Sequence, residues 1–536
     1  MTARTLILAA LLVAVAGPAA ADPVSAAIAS GVAAFKAVAA TKIGAFLIQT
    51  AVGIGLSLLG QQRQRGLEDT GIRVQGTTAG GTAPQGTILG LYADGGHLEY
   101  RNSWGDNDKR LVEVVSFSDL PGVELSRVII EGEYSDLGPE ESGRGNVILA
   151  KNRAPDRTRA WVKWYDGSQT AADPELVTRF GADPDRPWTA DHKLSGVGYA
   201  IFTYYFDRKV FRSGVPRPRL ELLGIPVYDP REDVAHGGTQ TWDNKASWTR
   251  SFNPIVLVYN ILRGIELPDG SVWGGGVAAE DLPESVWFAE MNKCDATVGD
   301  PPRPRYRAGI RVDFTRPPFE YVGKLLAAAG AQIAELGGVW YVRAGAPGTP
   351  VTSFSDDDVL ISEAREYAPF PGLEQTHNGV AITYPSPAAL WNPRELPPLI
   401  DAGFEQEDGR RRLATLELEA VPWAPQARQL AHDVLRDDRR FRRHVLRMPP
   451  EFFFLRPLQT AAWTSAWNGY TGKTFEASEV AYDLRRLVAT WSLRERDPND
   501  WVHTPAYETP EPPAATTPPP RPDAGVPAWA AEGVTI

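Results

Sequence analysis

Residues 111–134 read LVEVVSFSDLPGVELSRVIIEGEY. Two runs, LVEVVSF and RVIIEGEY, are rich in β-branched and aromatic residues, and DLPG separates them as a turn signal. Each run has strand length. A loop reading GTTAGGTAPQG precedes these runs, and the same texture returns at AWVKWYDG and GYAIFTYYFD. From Gly71 to about Arg231 the chain therefore reads as short strands of a barrel or sandwich. With 536 residues, 50 Gly, 45 Pro, 16 Trp, 17 Tyr and 19 Phe but 3 Met, the composition fits a strand-and-loop protein of several domains.

Downstream the period changes. NPIVLVYNILRG places Ile255, Val258, Tyr259 and Leu262 at helical spacing, with Asn253 as N-cap and Pro254 in the first turn. ESVWFAEMNKCD predicts a second helix. PPFEYVGKLLAAAGAQIAEL predicts a third, followed by a GGVWYVRAG strand. GVAITY is strand-like. APQARQLAHDVLRDDRR is an amphipathic helix with Ala427, Leu430, Ala431, Val434 and Leu435 on one face. RHVLRM and VAYDLRRLVATWSL return to strand texture. Nine prolines between Pro505 and Pro527 predict an extended or disordered end.

The N-terminus is different. Arg4, an uncharged run from Thr5 to Ala16, and Ala19 and Ala21 before Asp22 form a secretory-signal pattern. A second stretch, IGAFLIQTAVGIGLSLLGQQ at residues 43–62, holds twenty uncharged residues. It has span length, but Gly44, Gly53, Gly55 and Gly60 also permit close helix packing. A lipid span, a helix buried inside an oligomer and a soluble core helix remain open. Ile43, Phe46, Leu47, Ile54 and Leu58 would form its trimer-core or membrane-active face.

Little in the chain points to catalysis. One cysteine, Cys294, excludes an intrachain disulfide and any all-cysteine metal site. Net charge −11 disfavours non-specific nucleic-acid binding. The histidines, His97, His192, His236, His377, His432, His444 and His503, have no H-E-x-x-H spacing, and no Walker A loop or G-x-S-x-G elbow is present. SDDDVL and GDNDK lack EF-hand spacing and read as solvated turns. Six arginines from Arg436 to Arg447 read as a helix end rather than a phosphate patch. Trp161 and Trp164 fall on opposite faces of a strand, which defeats a flat sugar platform. We expect no enzyme activity, no cofactor and no metal.

Several phrases in order carry a resemblance: TTAGGTAPQGTILGLYADGGHL, DLPGVELSRVIIEGEY, WYDGSQTAADPEL, LSGVGYAIFTYYFD, LLGIPVYDPR, SFNPIVLVYNILRG, WFAEMNKCD, FEYVGKLLAAAGAQIAELGGVWYVRAG and QARQLAHDVLRDDRR. This order resembles the tail-tip hub proteins of long, flexible-tailed phages, the tail-tip attachment family of lambda-like phages, and is similar to hub proteins of prophages and gene transfer agents. The resemblance covers roughly residues 47–493. It implies a structural, non-enzymatic homotrimer whose tube-like β domains close the distal tail tube. It also implies roles in host attachment, envelope penetration and genome delivery. The implied partners are the distal tail protein, other tail-tip proteins, the tape-measure protein, the host envelope, and DNA passing without sequence-specific binding. Longer members continue into fibronectin-like domains, whereas here a Pro-rich tail follows, on which a receptor-binding fibre would dock.

The expected fold class is mixed α+β and β-rich: tube-like β-barrel hub domains with inserted helical segments, apolar N-terminal helices and a Pro-rich tail. The expected divisions are 1–68 (signal-like and apolar), 69–252 (β-rich), 253–345 (helical and mixed), 346–503 (second tube-like β domain) and 504–536 (tail). The expected location is the virion tail tip, with the signal-like segment retained. A secreted or periplasmic glycan-binding β protein is the alternative, and it predicts a mature N-terminus at Asp22.

Overall fold

The computed structural model describes residues 78–79, 83–105, 108–141, 143–149, 159–205, 215–372 and 375–508. The fold is mixed α+β and β-rich, as the sequence predicts. The first part contributes β1 (Thr78–Ala79), β2 (Gly86–Asp94), β3 (His97–Trp104), β4 (Arg110–Ser118), β5 (Glu124–Ile130), β6 (Glu133–Glu140), β7 (Asn146–Leu149), β8 (Ala160–Asp166), α1 (Pro174–Phe180), β9 (Gly198–Tyr205) and β10 (Arg219–Leu223). RVIIEGEY is two strands rather than one. Glu131 and Gly132 both take positive φ, 52° and 82°, and turn β5 directly into β6.

The middle holds α2 (Pro254–Arg263), the hairpin β11 (Ile265–Glu266) and β12 (Val272–Trp273), and α3 (Glu284–Asp295). Next come the hairpin β13 (Thr297–Val298) and β14 (Arg303–Pro304), β15 (Gly309–Asp313), α4 (Pro318–Ala327), and the hairpin β16 (Gln332–Leu336) and β17 (Val339–Arg343). Asn253 caps α2 by accepting from the N–H groups of Ile255 and Val256. Ile255 to Leu262 are buried all round, so α2 is a core helix rather than a one-faced surface helix. Its polar Asn260 is satisfied by both backbone groups of Tyr228. The predicted third helix is shorter than the sequence implied. It stops at Ala327, Gly330 follows at φ +54°, and QIAEL becomes β16. An Ala-rich helical period lost to a Gly-led hairpin because Val339–Arg343 offers QIAEL a complete strand partner.

The last part holds β18 (Thr352–Ser355), β19 (Glu366–Ala368), β20 (Gly379–Ser386), β21 (Asn392–Ile400), α5 (Ala402–Asp408), β22 (Leu413–Glu417) and α6 (Ala424–Asp438). It ends with β23 (Arg443–Met448), β24 (Thr460–Ser465), β25 (Tyr470–Asp483) and β26 (Val488–Glu495).

Eleven strands make the first sheet, in the order β1-β3-β4-β9-β8-β7-β6-β5-β10-β2-β15. Only Gly95 and Gly96 separate β2 from β3, yet these strands stand near opposite ends of that order. The sheet must therefore curl until its ends approach, and β2 lies close to β4 across the core. Its outer and inner faces bury alternate residues. Val112, Val114, Tyr199 and Ile201 pack with Leu176 and Phe180 of α1, whereas Val115, Phe117, Ala200 and Phe202 join the main core. The second large sheet runs β18-β24-β25-β26-β23-β19 and has its own core around Trp463, Phe475 and Trp491. The three-stranded sheet β21-β20-β22 packs on α6. The chain continues past β26 into a strap over α6. There Pro505–Tyr507 form a 3-10 turn, so the first residues of the predicted tail are ordered.

Candidate assembly site

Two features carry the site. The first is a buried ionic seam between the main core and the second sheet. Arg343 of β17 meets Glu476 of β25 at 2.7 Å. Arg496, just past β26, meets Asp437 of α6 at 2.6 Å, and Arg494 of β26 reaches the same carboxylate at 3.0 Å. Gln332 accepts from Arg343 at 2.8 Å. All five charged side chains are buried or nearly so. Burial opposes the Asp437 charge, but Arg494, Arg496 and Arg343 outweigh it and hold the carboxyl below its ordinary range. Burial and the nearby Arg343 charge lower Arg496 to about 10. Three guanidiniums share two carboxylates here, which explains why one cation is disfavoured while the acid is favoured. No spacing in the sequence signals this seam, because its members come from four separate elements.

Second, the end of the second sheet that bears the β25–β26 turn exposes several apolar side chains beside Asp483, Arg485 and Arg486. Leu484 and Leu487 in the turn are 73% and 54% exposed, and Ile361 is 76% exposed. The Arg486–Glu363 pair, at 2.5 Å, brings the loop of Ile361 beside the turn. Phe454 is half exposed next to it, where Leu455 accepts from the Tyr482 hydroxyl. Exposed apolar side chains gathered at one end of a sheet are what a partner's surface could cover.

The other residues singled out in the sequence resolve as structural. Ile43, Phe46, Leu47, Ile54 and Leu58 lie outside the described residues. Three arginines of the run make internal pairs. Arg439 meets Asp408, Arg440 meets Asp497 and Asp500, and Arg442 meets Glu495. The Trp161 indole donates to Glu141, while Trp164 packs on Phe117 from the opposite face. SDDDVL caps a short 3-10 turn through Ser355 and Asp358. His377, His432 and His503 each sit beside one carboxylate, Asp438, Asp433 and Glu508. His444 is buried against Trp463, Tyr470 and Phe475, and desolvation with Arg442 nearby lowers it to about 4. Among the described residues no group of three or more His, Cys, Asp or Glu is placed to hold a metal, and no helix is long and apolar enough to cross a membrane.

Residues 319–475 match a family described as "Putative phage tail protein". The chain is similar to phage tail proteins. The matched segment runs from α4 into β25, the fifth of the second sheet's six strands in chain order, and includes α6, Asp437 and Arg343. Over 90% of its length the chain shares its fold with a chain of the solved "Virion of native gene transfer agent (GTA) particle", 98% of which is covered, at TM-score 0.57 and 13% identity. A tail protein from Neisseria meningitidis MC58 aligns at 10% identity over 78% of this chain and 98% of that one, with TM-score 0.28. The 43 kDa tail protein of prophage MuSo2 from Shewanella oneidensis aligns at 9% identity over 78% and 98%, with TM-score 0.27. No curated protein matches the chain. The segment match supports a phage tail-type structural protein, and the virion chain shows a shared fold.

Proposed function

We propose that the chain is the hub of a tail tip. Three copies close the distal end of the tail tube, contact the distal tail protein and the tape-measure protein, and open during genome delivery. The observation that carries this reading is the tail-family match over residues 319–475 inside a fold shared almost end to end with a virion chain. The curled first sheet is consistent with a tube-wall element, since curling brings its strand edges toward closure. The buried seam would hold the second sheet in fixed register with the rest of the subunit, as a ring component requires. The apolar end around Leu484 supplies a surface for a neighbouring copy. The hub performs no chemistry of its own in this reading. Native mass spectrometry of the purified chain tests the stoichiometry. A 3:1 mass ratio to the monomer is expected, and a monomer at micromolar concentration would contradict it.

A further inference from the structure

Beside the C-terminal end of α6 lies an aromatic groove of about 170 Å³, lined by Ala368, Phe370, Pro371, Gln375, Asp438, Arg440, Phe441 and Arg443. Phe370 is 75% exposed, and its ring meets Phe441 edge-on at 6.2 Å. Arg439 stacks on Phe441 at 5.0 Å and fixes that ring in place. The groove thus offers two crossed aromatic rings with the Arg443 guanidinium and the Gln375 amide at its rim. Polyproline helices are recognised by this combination. Proline rings pack on exposed aromatic faces, and donors take the free carbonyls that a polyproline helix leaves unbonded.

The chain carries such a segment, and it starts close by. The strap after β26 begins at the groove, where Arg440 pairs with Asp500 at 2.6 Å. It then runs back along α6. Thr504 donates to Gln429 at 3.1 Å, Tyr507 packs on His432, and Glu508 pairs with Arg303 at 2.6 Å. From Gln429 to Asp438 is about 13 Å of helix at ~1.5 Å per residue. Prolines 510, 512, 513 and 518 to 520 follow at once. Ten residues of polyproline helix span about 31 Å at ~3.1 Å each, enough to turn and return to the groove.

We infer that the groove between Phe370 and Phe441 is the seat of the chain's own Pro-rich segment, residues 510–520, docked as a polyproline helix. Docking there would place whatever follows residue 520 beside the end of α6. The inference stands apart from the virion reading, because it uses only this chain's groove and this chain's tail.

Photocrosslinking in the full-length chain tests it. Phe370→p-benzoylphenylalanine keeps an aromatic ring at an exposed position. After irradiation of a mixture of ¹⁴N and ¹⁵N protein, peptide mapping should place the main crosslink in residues 509–527 of the same copy. Replacing Pro518, Pro519 and Pro520, which lie beyond the described residues, by Ser should lower that yield at least fivefold. Absence of a tail crosslink, a yield unchanged by the proline replacements, or a main crosslink to another copy would each overturn the proposal.

Discussion

Asp437 shows how much one residue can hold. Its carboxylate receives Arg496 and Arg494 inside the protein, at the meeting of two otherwise separate cores. Removing one partner of a buried ion pair strands the other charge, which costs about 3–5 kcal/mol. Asp437→Ala should therefore lower the urea midpoint sharply, whereas Asp483→Ala, in an exposed turn, should cost less than about 1 kcal/mol. Equal effects in equilibrium melts would refute the seam's role. His444 provides a pH signature. Its folded value, about 4, lies below the ordinary 6.5 or so of a free histidine, because burial and Arg442 disfavour the cation. The unfolded chain takes up the proton first. Stability from His444 is thus complete above about pH 6.5, falls as pH drops, and has gone once pH passes below about 4. Urea melts between pH 7 and 4 should show this slope, and His444→Gln should reduce it by about one proton. Neither residue was legible in advance: Asp437 lay inside the arginine run that reads as a helix end, and His444 was one of seven scattered histidines.

At the scale of elements, much was legible where local chemistry agreed with packing. Asn253 and Pro254 announce α2, and Asn253 does cap it while its amide also donates to Met291 and Asp295. Asn253→Ala should cost about 2 kcal/mol, the upper range for a cap. Thermal unfolding that matches wild type would contradict the assignment. α6 and β23 also follow their patterns, with the expected apolar face of α6 buried. What could not be read was partner choice. QIAEL has helical neighbours but finds β17, and Gly330 allows the switch because a side chain there would meet the Trp501 ring at 2.5 Å. Gly330→Ala should therefore destabilise by about 1–3 kcal/mol through strain and overpacking. β21 carries Pro393, Pro397 and Pro398, and tolerates them because it is an edge strand. The apolar N-terminal stretch has no counterpart here, since it lies outside the described residues.

At the scale of the molecule, strand texture gave the class of fold but not its topology. Strands β4 and β5, adjacent in the opening quotation, pair with different partners on distant parts of one curled sheet. Assembly contacts leave even less trace in a sequence, because Leu484 and Ile361 look like ordinary core residues until their exposure is seen. If the apolar end joins subunits, Ile361→Glu with Leu484→Glu should shift the oligomer to monomer in light scattering while leaving the melting temperature within a few degrees. Loss of folding, or an unchanged oligomer, would argue against that surface. The central claim concerns place and number in the particle. The most direct measurement is a cryo-electron reconstruction of purified particles carrying an internal tag in the exposed β11–β12 turn at Gly270, away from the Leu484 surface. The account predicts three tagged copies at the distal end of the tail tube. Tagged density along the tube wall, in the capsid, or absent from the particle would contradict it.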